Sequence, residues 1–172
     1  MRGWIGPVCA GLVAALLCWH VALVAVPRGL MVVASRRIAA LGGVNHMLHA
    51  PLVTANSRAV VRPSPDLLYS SCAFDVAASP VLLDIAPVDA PYWSLSVFDA
   101  LTNVAFVSNN QRSHGTPIRV AILRPGQKAP TGYQAVTVSG PRGVALVRIL
   151  IDRTQSIDAI DAARRKSSCR AS

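Results

Sequence analysis

The chain opens with a long apolar run and then changes its hydrophobic period. From Trp4 to Val26 there is no Asp, Glu, Lys or Arg. Crossing the hydrocarbon core of a bilayer takes about 20 apolar residues in a helix. After residue 50, apolar and polar residues alternate with a period of two, which is typical of half-buried strands. The pattern therefore predicts an N-terminal transmembrane helix followed by a mainly β domain.

A second helical segment is predicted directly after the apolar run. Pro27 is expected to kink or end the first helix, and apolar residues then recur at helical spacing, which favours an amphipathic helix at the membrane interface. These residues are Leu30, Ala34, Ile38, Leu41 and Leu48. We divide the chain into a transmembrane anchor over 1–28, a juxtamembrane helix over 29–50 and a β domain over 51–172.

A cleaved secretory signal is the alternative to the anchor. The apolar region of a signal is about 7–15 residues long and precedes a small-residue cleavage site. The run here is longer, and only Val32 with Ala34 resembles such a site. An uncleaved anchor is therefore favoured, and a buried core helix fits least.

The alternating region predicts six strands separated by turns rich in Gly, Pro and Asn. In two of them the apolar face is explicit: Val81, Leu83 and Ile85 in one, and Trp93, Leu95 and Val97 in the other. The strands are Pro80–Ala86, Tyr92–Ala100, Asn103–Ser108, Pro117–Leu123, Gln134–Val138 and Val144–Ile151, with a C-terminal helix over Ser156–Arg165. Short strands with regular turns predict an antiparallel β-sandwich or a partly closed barrel.

The net charge of +9 is unevenly distributed. The excess basic residues flank the apolar run or lie near the C-terminus, and the remaining domain is nearly neutral. They are Arg2, Arg28, Arg36, Arg37, Arg164, Arg165, Lys166 and Arg170. This distribution favours attraction to an anionic bilayer. Nucleic-acid binding is not expected, because aromatic residues are only 5% of the chain and are not interleaved with the basic ones.

Four cysteines divide between the two regions. Cys9 and Cys18 fall in the apolar run, where a free thiol acts as a small hydrophobe. Cys72 and Cys169 fall in the domain. If the domain is exported, a disulfide between them and two unrelated thiols are both open. The positive-inside rule, read literally, would keep the domain in the cytoplasm.

Catalytic motifs are absent from the sequence. There is no phosphate-binding glycine loop and no Gly-x-Ser-x-Gly elbow. His46 and His49 are spaced like metal ligands but have no nearby acid or Cys to complete a site. We predict no metal site and no cofactor, and no residue is assigned a catalytic role.

A series of short motifs resembles the domain-of-unknown-function 1254 family. Arg62–Ser70 reads Arg-Pro-Ser-Pro-Asp-Leu-Leu-Tyr-Ser, and it is followed by Tyr92–Leu95 and Asp99–Val104. The family shows Arg-Pro-Asn-x-Asp-Thr-x-Tyr-Ser, a Tyr-Trp strand and Asp-x-Tyr-Thr-Asn. Three positions depart from this pattern: Ser64, Leu67 and Leu101. The resemblance implies a mainly β fold and a companion, the 1214 module, that often follows in the same chain.

The polar residues of these motifs form the candidate site. Asp99 falls on an apolar strand face, where a carboxylate needs a partner or a raised pKa, and Arg62, Arg148 and Tyr69 are the candidate partners. The proposed ligand-binding cluster is Arg62, Asp66, Tyr69, Asp99 and Asn103. The alternative is a hydrogen-bond network that fixes loop crossings, with Asp66 capping a turn, and this structural interpretation is favoured.

These expectations lead to one main functional hypothesis and two rivals. The main one is a non-enzymatic, single-pass protein of the inner bacterial membrane whose domain is periplasmic and binds a partner carrying the companion 1214 module. The first rival is a small hydrolase-like enzyme that uses Asp66, Tyr69 and Asp99. The second is a lipid-binding surface built from the amphipathic segment and the basic C-terminus.

Overall fold

A long N-terminal helix dominates the outline of the protein. The computed structural model describes residues 2–54, 63–152 and 156–172. Helix α1 spans Ile5–Gly42, about 57 Å at 1.5 Å per residue. It ends at Gly43, whose φ of 86° suits glycine and whose N–H bonds the carbonyl of Ala39 at 2.8 Å. By length and composition the helix is compatible with a membrane span, and none of its apolar window is buried in the protein.

The expected end of the first helix at Pro27 is not observed. Pro27 lies inside the continuous α1, although it lacks the N–H that would bond the carbonyl four residues earlier. One turn of backbone is thus weakened without ending the helix. The Arg28 guanidinium bonds the Val24 carbonyl at 3.1 Å beside this turn, so the anchor and the juxtamembrane segment form one rod.

The C-terminal third of α1 packs against the domain. Met31 and Ser35 are buried, whereas Leu30 and Leu41 are largely exposed. The face through Met31 and Ser35 therefore contacts the domain, and the predicted apolar stripe through Leu30 and Leu41 does not. Contact of that stripe with lipid stays a prediction.

The domain is a sandwich of two sheets. The five-stranded sheet A has the order β1-β2-β8-β4-β5, and the four-stranded sheet B has the order β7-β6-β3-β9. The strands are β1 Leu48–His49, β2 Leu67–Asp75, β3 Val81–Ile85, β4 Trp93–Phe98, β5 Val104–Asn109, β6 Ile118–Leu123, β7 Gln134–Thr137, β8 Arg142–Leu150 and β9 Ser168–Ala171. Two short helices are α2 Asn110–Ser113 and α3 Ile157–Arg164. The sandwich prediction is confirmed, and the sheets do not close into a barrel.

The core lies between the sheets, as the alternation predicted. Trp93, Leu95 and Val97 of β4 are almost fully buried, and they face β-branched and leucine side chains of β3 and β6. Sheet B is mixed, because β6 and β7 pair in parallel. At the edge of this core, a Cβ on Gly143 would lie 2.2 Å from the Phe98 carbonyl oxygen, so only glycine fits where β8 passes β4.

Three strands escaped the sequence pattern, and one of them, β1, lies within the segment 29–50 that was predicted to be helical. In β2 the inward positions include Ser70 and Cys72, and small residues also stand on the outward face, so the period of two is blurred. The short β9 carries Cys169, which is joined to Cys72 of β2 by a disulfide with a Cα–Cα distance of 6.4 Å. The bond links the two sheets and fixes the C-terminus of the chain.

Candidate functional site

Asp99 is the centre of a closed hydrogen-bond network. It follows β4 and is only 4% exposed. Its Oδ1 accepts the N–H groups of Leu101 and Asn103 at 2.8 and 2.9 Å. Its Oδ2 accepts from Asn103 Nδ2 at 3.1 Å and from Ser139 Oγ at 2.5 Å. The carboxylate thus holds the β4–β5 turn and ties it to the segment between β7 and β8.

The electrostatics of Asp99 favour a structural role. Burial alone raises the pKa of Asp99, but the hydrogen bonds from Ser139, Asn103 and two backbone N–H groups outweigh it, so the net pKa lies below the ordinary value. A general acid would need a raised pKa. Neither Tyr69 nor Arg148 is the partner of Asp99, which corrects the expected pairing. Its partners are Leu101 and Asn103 in the adjoining turn and Ser139, which follows three further strands along the chain.

The five predicted site residues do not form one cluster. Tyr69 is opposite Arg148 in the register of β2 and β8, while Phe98, one residue before Asp99, is opposite Val144. The two positions are about five residues apart along the sheet, or about 17 Å. Asp99 and Asn103 therefore lie at one end of sheet A and Tyr69 at the other. Arg62 lies outside the described residues.

Near Tyr69, Ser64 does the capping that was expected of Asp66. The Tyr69 hydroxyl accepts the Ser64 N–H at 3.0 Å, and Ser64 Oγ accepts the Asp66 N–H at 3.4 Å. Asp66 itself is exposed, and its carbonyl accepts the N–H of Ile151 at 3.0 Å. This end of the sheet is closed by a hydrogen-bonded turn, and Asp66 is exposed to solvent.

A buried arginine in α3 was missed from the sequence. Arg164 is 2% exposed, and its guanidinium donates to the carbonyls of Tyr69 and Ala50, both at 2.7 Å. It also bonds Asp161 at 2.6 Å. The residue therefore clamps α3 onto β2, so the predicted basic tail is not free. The sequence around Arg164 is a run of basic residues and does not indicate that this one is buried. The carbonyls that it binds lie about a hundred residues away in the chain.

His49 belongs to the same clamp. Its Nδ1 lies 2.9 Å from Ser70 Oγ, and Ser70 is buried. Burial, followed by the charges of Arg164 and Arg165, lowers the pKa of His49, while Asp161 acts in the opposite sense. A neutral imidazole beside a buried hydroxyl stabilises the β1–β2 edge. Within the described ranges no three metal-ligating side chains come together.

A different polar pair lies on the outer face of sheet A. The outer face is the side that carries Tyr69, Arg148 and Ser94, which stand directly opposite one another across β2, β8 and β4. Arg148 Nε and Ser94 Oγ are both buried, and neither has a hydrogen-bond partner among the residues that the structure describes. Ser94 is 0% exposed. Buried polar atoms are normally paired, so each exception asks for an explanation.

Apolar side chains flank this polar pair on the outer face. Leu146 and Leu150 are partly buried on β8, two residues before and two residues after Arg148. Val107 of β5 is 47% exposed and stands opposite Ser96 on the same face. A carboxylate or carbonyl oxygen fits the two donors chemically, but both donors are buried, so such an oxygen reaches them only when the partly exposed Arg148 side chain moves aside.

The outer face of sheet B carries a polar cluster of the opposite kind. Asp84 accepts from the Tyr133 hydroxyl at 2.9 Å and forms ion pairs with Arg170 and, at 3.6 Å, with Arg119. The hydrogen bond that Arg170 donates to Asp84 raises the pKa of Arg170. The charges in this cluster are paired within the domain, which leaves the Arg148–Ser94 pair as the better candidate site.

The fold and its sites define a class: a β-sandwich domain carried on a helix that is compatible with a membrane span. The family described as "Protein of unknown function (DUF1254)" matches residues 44–171. The chain belongs to this family. The resemblance of its motifs is thereby confirmed, and the match covers the whole sandwich. No curated protein matches the sequence of this chain.

Two solved structures of longer proteins are similar to this chain. The VPA0106 protein from Vibrio parahaemolyticus is similar with a TM-score of 0.63 and 15% identity, over 88% of this chain and 38% of that one. An uncharacterized protein from Burkholderia cenocepacia is similar with a TM-score of 0.48 and 14% identity, over 78% of this chain and 38% of that one. The present chain therefore spans less than half the length of either solved chain.

Proposed function

We propose that the protein is a membrane-anchored accessory module that binds a partner protein through the outer face of sheet A. The observation that carries the proposal is the unpaired Arg148–Ser94 pair. A buried guanidinium N–H and a buried hydroxyl without partners cost stability in the isolated fold. A site that costs stability is expected where function requires it. The partner supplies a carboxylate or carbonyl oxygen to the pair and apolar side chains to the rim.

The identity of the partner is proposed from the companion module of the family. In the VPA0106 chain this fold accounts for part of a longer polypeptide. We propose that the partner is a separate protein carrying the companion 1214 module. No reaction is assigned to the complex, because Asp99 is fully hydrogen-bonded and distant from Tyr69.

We further propose that the domain lies on the periplasmic side of the inner membrane. The disulfide between Cys72 and Cys169 supports an oxidising compartment, against the literal charge count. The contact of Met31 and Ser35 with the domain supports an uncleaved anchor, since cleavage after Ala34 would sever it. Reporter fusions after Ser172 and labelling of Cys72 and Cys169 by an impermeant thiol reagent test this placement. Labelling only after reduction is expected, and free thiols with a cytoplasmic reporter signal would contradict it.

Site-specific photocrosslinking tests the proposed binding surface. A photoreactive phenylalanine analogue replaces Val107 in the full-length protein in native membranes, and the control position is Arg119 on the outer face of sheet B. We expect a discrete adduct from position 107, identified by mass spectrometry as a protein with the 1214 module. Arg148→Glu should abolish this adduct by repelling the partner's oxygen, and Arg112→Glu should leave it unchanged.

Three results would contradict the proposal. The first is equal adducts from positions 107 and 119, which would indicate nonspecific contact. The second is an adduct that survives Arg148→Glu. The third is an adduct containing only a second copy of this chain, which would make the outer face a homodimer interface.

A further inference from the structure

A cavity of about 180 Å³, partly open to solvent, lies at the junction between α1 and sheet A. Met31, Ser35 and Ala39 of the helix line one side, and Phe74 of β2 lines the other. For comparison, a cavity of about 150 Å³ accommodates benzene. The lining is mostly apolar, and no side chain fills the space between the helix and the sheet here.

Charged groups stand at the rim of this cavity. Arg142 Nε is 2.8 Å from Asp75 Oδ2, so these two groups largely neutralise each other. Burial raises the pKa of Asp75, but the hydrogen bond from Arg142 and further contacts outweigh it and lower the net pKa. Arg36 also lines the cavity, and no ion pair of Arg36 occurs among the described residues. The rim thus carries one uncompensated positive charge.

The position of the rim relative to the bilayer follows from helix geometry. The uncharged run from Trp4 to Val26 covers about 34 Å as a helix, close to the hydrocarbon thickness of about 30 Å. Met31 therefore lies about 7 Å beyond the run, within the headgroup layer. Helical side chains lean toward the N-terminus, so the Arg36 guanidinium reaches back toward the same layer.

We propose that this cavity binds one anionic phospholipid from the surrounding leaflet. The lipid phosphate pairs with Arg36, and the adjoining glycerol and first acyl carbons occupy the apolar lining. Two observations select this occupant: the uncompensated guanidinium matches a phosphate, and the cavity is continuous with the helix that enters the bilayer. The proposal rests on the membrane anchoring proposed above, and it adds a specific lipid to a nonspecific anchor.

The neighbouring arginine provides a matched control. Arg36→Ala and Arg37→Ala remove the same charge at nearly the same depth, but only Arg36 lines the cavity. A third variant, Ala39→Phe, keeps both charges and fills the cavity. The full-length protein is placed in nanodiscs of phosphatidylcholine with increasing phosphatidylglycerol, and bound lipid is counted by native mass spectrometry after release.

The variants should separate specific from nonspecific binding. Loss of one nonspecific surface charge weakens attraction to anionic lipid about fivefold. We expect Arg36→Ala and Ala39→Phe each to lower retention of phosphatidylglycerol by about tenfold or more, and Arg37→Ala by fivefold or less. Equal losses for Arg36→Ala and Arg37→Ala would overturn the proposal, and so would full retention in Ala39→Phe.

Two further arms identify the source of the phosphate and separate this proposal from the anchoring. Displacement of the lipid by millimolar glycerol phosphate would overturn the lipid assignment, because a free anion would then suffice. Resistance of the protein to alkaline carbonate extraction from native membranes tests anchoring alone. If the protein is extracted but dihexanoyl phosphatidylglycerol in solution still binds wild type and not Arg36→Ala, the anchoring fails and the cavity assignment stands.

Discussion

Two arginines on either side of Tyr69 show opposite uses of the same side chain. Arg164 is buried in α3 and donates to the Tyr69 carbonyl, the Ala50 carbonyl and Asp161. Arg148 stands across the strand pair from Tyr69, and its buried Nε donates to nothing. A buried cation stabilises a fold only when its donors are satisfied. The first arginine therefore belongs to the architecture, and the second is the one that we propose a partner protein engages.

The same contrast extends to the neutral and acidic groups. Asp99 accepts four hydrogen bonds at one end of sheet A, whereas Ser94 Oγ near the other end has none. A satisfied network rigidifies the fold, and an unsatisfied one marks strain or function. The difference explains why the conspicuous acidic residue is structural and the inconspicuous serine belongs to the candidate site.

The largest expected loss of stability comes from replacing Arg164, whose guanidinium is fully hydrogen-bonded within the domain. Arg164→Leu leaves the carbonyls of Tyr69 and Ala50 unpaired and should lower the free energy of unfolding by about 4 kcal/mol. Urea denaturation of the full-length protein in mild detergent measures it. Arg165→Leu is the matched control and should cost less than about 1 kcal/mol, because Arg165 is exposed and its pair with Asp161 lies at the surface. Equal losses for the two variants would contradict the clamp.

The disulfide is a second link between the C-terminal segment and β2, beside the hydrogen bonds of Arg164. Cys72 and Cys169 are 97 residues apart, and a native disulfide typically contributes about 2–4 kcal/mol to stability. Cys72→Ala with Cys169→Ala should show this loss in the same denaturation assay. Cys9→Ala with Cys18→Ala should show none, and a loss in that control would indicate that the helix thiols contribute instead.

Replacement of Asp99 tests the satisfied network at the other end of the sheet. Asp99→Asn replaces one acceptor oxygen by an NH2 group, which then faces other donors, and should cost about 2 kcal/mol at pH 7. Folding lowers the pKa of Asp99 below 3.8, so the ionised group stabilises the fold above that pH. This contribution disappears as the pH falls through the lower pKa of the folded state. The gap between wild type and variant should therefore narrow in acid, while Asp66→Asn should change stability by less than about 0.5 kcal/mol.

The sequence predicted the core strands and some of the polar residues, but not the partners of those residues. The alternation in β3, β4 and β8 was strong enough to place the core, and Arg148 was visible as a charge within an apolar strand. Asp99 was recognised as needing partners, but Ser139 could not be found, because a forty-residue separation leaves no local pattern. The role of Arg164 was hidden for the same reason, since backbone carbonyls carry no signature in the sequence. Strand β2 was missed because small residues occupy both of its faces.

The outer face itself could be predicted only in part. The alternation predicted the face on which Ser94 stands. Whether its hydroxyl has a hydrogen-bond partner depends on which side chains the fold brings next to it, and the sequence does not show this. Ser94 and Arg148 become neighbours only through the register of β4 with β8, and no turn or motif in the sequence specifies that register.

The most direct test of the account is the stability of the two outer-face variants, Ser94→Ala and Arg148→Met, in the full-length protein. Each removes a buried donor without a partner, so each should leave the free energy of unfolding unchanged or raise it, by about 1 kcal/mol for Ser94→Ala. Arg119→Met on sheet B serves as the control and should change it little. A gain or no change, together with loss of the adduct from position 107, is the predicted result. A loss of 1 kcal/mol or more in both variants would assign the pair to the architecture and contradict the proposed binding surface.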